Sequence, residues 1–255
     1  MIIDAHAHLN VEPFINEDIS LYIERACLAG VDKIINVGAD RGTSFKAVDM
    51  LSMYDGFYAT VGVHPHDAGS FDDNVYKEFV QLCSNNDRIV AIGECGLDYF
   101  RNLTPVNVQK LAFERQVQLA KELNLPLVIH TREAERDTLE LLDCMDITVP
   151  LVVHCFTGTF DFAVKLWERG FFTSFTGIIT FKNAADLREV VKAVPFDRFM
   201  VETDCPYLAP QEYRGKTNEP SYIVEVVKEI ARIKGVSYEE IVDISTKNAK
   251  NFYNI

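Results

Sequence analysis

PLVIHTREAERDTLELLDCMDITVPLVVHC, residues 126–155, reads as a strand, a helix and a second strand. The runs 126–130 (PLVIH) and 150–155 (PLVVHC) are nearly all apolar, as strands buried on both faces of a parallel sheet are. Between them, 132–145 mixes charged residues with Leu139, Leu141 and Leu142, which suits a helix with one buried face. The same alternation runs outward in both directions. Further strands are expected at 2–7, 33–37, 57–62, 88–93, 171–175 and 198–203, and helices at 16–29, 106–124, 159–169, 183–193 and 220–234. A terminal helix at 237–253 closes the chain. Eight strands with helices between them, in 255 residues, predict an α/β fold: one (β/α)8 TIM-type barrel over residues 1–255 with a C-terminal helix. An open doubly wound sheet is the structural alternative.

Bulk properties narrow the function. Hydrophobic residues make up 48% of the chain, enough for a large core, and no run is long and apolar enough for a membrane span. Without a basic, apolar leader at its start, the chain is expected to be cytoplasmic. Cys27, Cys83, Cys95, Cys144, Cys155 and Cys205 form no CxxC pair, which favours free thiols over a disulfide framework or a zinc ribbon. The net charge of −13 argues against a broad grip on duplex nucleic acid, where phosphate neutralisation supplies most of the affinity. A small, locally positive pocket remains compatible with it.

The histidines carry the chemistry. His6 and His8 end the first expected strand, His64 and His66 follow the third, His130 ends the fifth and His154 ends the sixth. Glu94 follows the fourth strand and Asp204 the eighth. In barrels of this class the carboxyl ends of the strands carry the active groups. Side chains two apart in a strand share a face, with a rise of roughly 6.6 Å at ~3.3 Å per residue, so His6 and His8 can close on one ion. A lone HxH is a weak pattern; imidazoles and carboxylates at so many strand ends are a stronger one, because burying them is costly unless something pairs them. A metal cluster would do so.

The stretches DAHAHL (4–9), GVHPH (62–66), IGECGLDY (92–99), LVIHTRE (127–133), VVHCFTG (152–158), VETDCPYLAP (201–210) and YRGKTNEP (213–220) resemble the TatD family of metal-dependent deoxyribonucleases, a branch of the amidohydrolase-like barrels. That resemblance implies two divalent ions per subunit, Zn, Mn or Mg. His6, His8 and Asp204 would hold one together with Glu94, and Glu94 would bridge to a second held by His130 and His154. Cys95 and Cys205 stand where similar sequences often carry other small residues. They are read as buried small hydrophobes rather than as reactive thiols.

The expected mechanism assigns Asp204 to orient a metal-activated water and take its proton, with Glu94 and His64 as further catalytic groups. Arg132, Arg214 and Lys216, in connections after strands, would meet phosphate. Lys182 is a weaker candidate of the same kind. Phe156, Phe181, Tyr207 and Tyr213 are possible stacking residues, and Asp98 a possible outer support for the metal ligands. The leading expectation is hydrolysis of phosphodiester bonds at DNA ends or in single strands, with no membrane and no protein partner implied. Hydrolysis of C–N or C–O bonds in a small molecule is the alternative, and a metal-retaining binding protein with little turnover is a third reading.

Overall fold

The computed structural model describes residues 1–255. Strands β1 (Ile2–Ala7), β2 (Val31–Val37), β3 (Phe57–Val61), β4 (Ile89–Asp98), β5 (Leu127–Arg132), β6 (Leu151–Val153), β7 (Phe172–Phe175) and β8 (Phe199–Val201) form one sheet in chain order. Between them run helices α1 (Ile19–Leu28), α2 (Arg41–Asp49), α3 (Asp73–Asn85), α4 (Val106–Leu123), α5 (Glu135–Cys144), α6 (Phe160–Glu168), α7 (Ala185–Ala193) and α8 (Ile223–Lys234), with α9 (Tyr238–Tyr253) last. The architecture is the expected (β/α)8 TIM-type barrel with a C-terminal helix. The chain divides into two compact units, Met1–Asn36 with Cys155–Ile255, and Val37–His154.

In the first unit β8 pairs in parallel with β7 (Thr173 with Phe199, Phe175 with Val201), and β1 pairs with β2. The chain beyond β8 runs along β1: Asp204 N–H donates to His6 O at 2.9 Å, and His8 N–H donates to Cys205 O at 2.7 Å. Asp4 is the side-chain clasp of this seam, accepting from Thr203 N at 2.9 Å and Thr203 Oγ1 at 2.6 Å. Burial pushes its carboxyl up to about 7, against the opposing pull of those Thr203 bonds. Helix α9 packs on β1 and β8, and the buried Tyr253 hydroxyl donates to Ala5 O at 2.9 Å.

In the second unit β4 pairs with both β3 and β5, and β5 with β6. Strand β4 is buried along its whole length and runs to Asp98, past the expected end at 93. Two glycines allow β5 to approach it. At Gly96, with φ +134°, a Cβ would lie 2.0 Å from His130 O, and at Gly93, with φ +145°, 2.3 Å from Val128 O. Between these glycines the β4–β5 register slips: Ile92 faces Leu127 while Cys95 faces Ile129, so β4 holds one extra residue there. Glu94 lies in that bulge, and its N–H donates to Gly38 O at 2.8 Å. Bulges re-aim side chains in this way. A matching slip between Asp4 and Ala7 of β1 contains His6.

Helices α2 and α3 are additions to the elements expected from sequence. Helix α2 has no apolar stripe, because its buried residues are the small Ser44 and Ala47. Helix α3 did carry a signal, an Asp72 cap and the buried pair Val75 and Phe79. Strand β5 continues to Arg132, so that residue ends a strand and the helix begins only at Glu135.

Because Gly96 combines a left-handed φ with backbone contact, Gly96→Ala is expected to destabilise the chain by about 2–5 kcal/mol, summing strain and overpacking. Urea unfolding checks this; a change below about 1 kcal/mol would show that β4 does not depend on the close approach.

Candidate metal centres

In the first unit, Nε2 of His6 and Nε2 of His8 are 3.1 Å apart, and Asp204 Oδ1 lies 3.7 Å and 3.4 Å from them. All three side chains are buried. For ligands at ~2.0–2.1 Å from one ion, tetrahedral geometry separates neighbouring donor atoms by roughly 3.3 Å. The observed triangle is of that size, and its donor types are those that take Zn or Mn. Asp204 reaches this position with φ +55°, directly after the backbone bond that ties it to His6.

The second unit gathers imidazoles around one carboxylate oxygen. Glu94 Oε1 lies 2.7 Å from His154 Nε2, 3.1 Å from His130 Nδ1 and 3.5 Å from His64 Nε2. Burial by itself would raise Glu94. The neighbouring imidazoles overturn it, through the electrostatics of His154 and His64 and the hydrogen bonds from His130 and His154, holding the carboxyl well below its ordinary value. Glu94, His130 and His64 offer donor atoms close enough for one cation.

Hydrogen bonding separates the roles of these imidazoles. The backbone N–H of His66 donates to His64 Nδ1 at 3.1 Å. An amide can only donate, so Nδ1 holds the lone pair and the proton of the neutral ring is on Nε2. Burial, only partly opposed by Glu94, pulls the His64 imidazole down to about 3, so the ring stays neutral. His64 therefore presents an N–H rather than a lone pair toward Glu94.

His130 is turned the other way, with Nδ1 rather than Nε2 toward Glu94. Its Nε2 lies 3.2 Å from Asp98 Oδ2, and its Nδ1 faces Glu94. Desolvation opposes protonation of this ring, but its bonds to Asp98 and Glu94 prevail and raise it above the usual histidine value. Asp98 is held in turn by His66 Nε2 at 3.0 Å and by the Arg101 N–H, which donates to Oδ1 at 2.7 Å. A carboxylate on the outer nitrogen of an imidazole is the usual way a metal-facing nitrogen is kept free of its proton. From sequence Asp98 is only a possible outer support; its tie to both His66 and His130 exists only in the fold.

Arg132 stacks on Phe100 with its guanidinium carbon 3.8 Å from the ring centroid, and Arg214 stacks on Phe181 at 4.6 Å. Lys216 Nζ lies 5.6 Å from the Tyr213 ring centroid. Tyr213 is itself stacked on Tyr222, and Phe156 is buried against Phe162, so both act in packing. Tyr207 is half exposed, its ring 6.0 Å from that of His8. Cys95 and Cys205 are fully buried, and burial pushes both thiols up, leaving them as inert small side chains. Glu202 is buried and accepts from Cys155 N at 2.6 Å.

The chain is similar along nearly its whole length to known metal-dependent hydrolases. The family model described as TatD related DNase matches residues 3–254. A protein of Bacillus subtilis (strain 168) named "Uncharacterized metal-dependent hydrolase YabD" is 43% identical over 256 residues, covering 100% of both chains. The "3'-5' ssDNA/RNA exonuclease TatD" of Cronobacter sakazakii is 37% identical over 219 residues, covering 84% of this chain and 83% of that protein. Among solved structures, the TatD homologue YJJV of Escherichia coli K12 superposes with a TM-score of 0.94 at 26% identity, covering 100% of this chain and 98% of that one. A barrel whose strand ends carry these histidine and carboxylate clusters, matched almost end to end by that model, belongs to the TatD-related DNase family of metal-dependent hydrolases.

Proposed function

We propose that this chain hydrolyses phosphodiester bonds of DNA, at ends or in single strands, using two divalent ions. The observation that carries the reading is the buried His6, His8 and Asp204 triangle, whose donor atoms are spaced as ligands of one ion. Glu94, His130 and His154 would hold the other ion. Bound there, the ions would polarise a phosphoryl oxygen and make water a nucleophile near neutral pH.

The chain's own groups then have separate tasks. Asp204 Oδ1 accepts the proton of the attacking water. Its backbone bond to His6 fixes the point from which the side chain leaves the chain. Glu94 remains an anion because three imidazoles surround it. His64 donates its Nε2–H to charge developing on a phosphoryl oxygen; as a neutral ring it gives a hydrogen bond and keeps its proton. With an ion in place, Asp98 would accept from His130 Nε2–H and leave Nδ1 to ligate.

Arg132, Arg214 and Lys216 are the phosphate contacts in this reading. Other arginines of the chain are committed to carboxylates, as Arg25 is to Glu219, Arg41 to Glu78 and Arg115 to Asp73. These three basic side chains lie against aromatic rings and pair with no carboxylate. Phosphate therefore need not break an ion pair to reach them. The Cronobacter exonuclease, named for single-stranded DNA and RNA, supports the same substrate class.

The test is metal-stripped protein reloaded with Mg, Mn or Zn singly and offered labelled single-stranded and blunt duplex oligonucleotides beside an amide and lactone panel. Cleavage of oligonucleotides from an end or in single strands is expected. Turnover of the amides or lactones with oligonucleotides left intact would overturn the reading.

Two substitutions probe the residues. Asp204→Asn is expected to lower kcat by ~10²–10⁴-fold, the usual worth of a positioned base, with the thermal midpoint of the metal-free protein retained. Asp98→Asn is expected to weaken metal binding at the Glu94 cluster by about 10–100-fold, read by titration with a chelating indicator. Unchanged affinity in that variant would remove Asp98 from the metal-positioning role.

A further inference from the structure

Strands β4 and β5 end as a register pair, Asp98 opposite Arg132, two residues beyond Gly96 and His130 in the direction of the connecting loops. The Tyr99 N–H extends this pairing, donating to Arg132 O at 2.9 Å. At this end Phe100 is 51% exposed, and the Arg132 guanidinium stacks on it. Exposing half of a phenylalanine is unfavourable, and a guanidinium covers it without ending the exposure. Arg132 has no carboxylate partner in a chain with 38 acidic residues. The pair therefore presents an aromatic face and an uncommitted cation side by side, two residues from Asp98 and His130.

The turn that carries Phe100 is braced. Asp98 Oδ1 accepts from the Arg101 N–H at 2.7 Å, and the Tyr99 hydroxyl donates to Asp137 at 2.8 Å. Gln109 Nε2 donates to Thr104 O at 2.7 Å, and Thr104 Oγ1 donates to His66 O at 2.6 Å. A turn braced by so many bonds fixes the backbone that carries Phe100 before a ligand arrives, which lowers the entropic cost of binding.

We propose that Phe100 and Arg132 form a subsite for a nucleotide with an unstacked base, the base lying on the exposed ring and the adjoining phosphate on the guanidinium. The inference rests on the phosphodiesterase reading above and adds a reason for its preferred substrate. Every base has a π-face that an aromatic can cover, but inside a duplex both faces are taken by neighbouring bases. Only an end or a single strand offers a face to Phe100. Arg132 supplies the attraction to phosphate that the acidic chain as a whole lacks.

The experiment uses metal-loaded full-length protein and two single-stranded oligonucleotides, identical except that one has an abasic terminal residue. Wild type is expected to show a KM lower by on the order of ten-fold for the substrate with the terminal base. Phe100→Ala is expected to abolish that preference and Phe100→Trp to restore it. The introduced indole should be quenched by the base-bearing strand more than by the abasic one, against the Trp167 background measured in wild type. Arg132→Ala should raise KM for both substrates while keeping the preference. A Phe100→Ala protein that still prefers the terminal base, or a wild type that cleaves both strands with equal KM, overturns the subsite. Wild type that cleaves neither strand overturns the phosphodiesterase reading itself, and the subsite with it.

Discussion

A carboxylate taken out of water must be paired, or it costs several kcal/mol and loses its charge. Glu94 meets this constraint with three imidazoles converging on a single oxygen. Everything around it in the Val37–His154 unit follows from keeping that convergence in place. The bulge in β4 aims Glu94, the glycines on either side let β5 bring His130 close, and Asp98 holds the far nitrogen of His130. Asp4 shows the other outcome of the same constraint: with only Thr203 and backbone for partners, burial pushes it up to about 7.

The barrel makes such clusters affordable in sequence terms. Strand β5 gives Leu127, Val128 and Ile129 to the core before His130 leaves its carboxyl half. Strand β6 has just three residues, all buried and all Leu or Val, and His154 follows at once. Its backbone N–H still donates to Ile129 O at 3.0 Å, so the imidazole leaves from a fixed point. In the first unit, the bonds from Asp204 and His8 across the β1 seam do the same for the His6, His8 and Asp204 triangle.

Charge is distributed on two scales. The net charge of −13 resists non-specific adhesion to nucleic acid, while Arg132 and Arg214 are stacked on phenylalanines and kept from the surrounding carboxylates. A guanidinium on a ring keeps its donors directed outward, where a planar oxyanion can meet them. Acidity overall and cationic readiness at a strand end and a loop are therefore compatible properties of one chain.

Sequence alone determined the alternation of strands and helices, the terminal helix, and which histidines and carboxylates stand at strand ends. These are local properties, written as apolar runs broken by single polar residues at positions such as His130 and His154. It could not determine how far β4 runs, because Gly93 and Gly96 look like strand breakers until β5 is found against them. It missed α2, whose buried face is made of Ser44 and Ala47 and has no apolar periodicity to read. Nor could it distinguish His64 from His130. Both are histidines at strand ends, and only tertiary structure decides that one ring accepts from a backbone amide while the other meets Asp98. His66 is two residues from His64, but its amide meets Nδ1 only in the turn the fold imposes, and Asp98, which holds His130, lies 32 residues away in the chain.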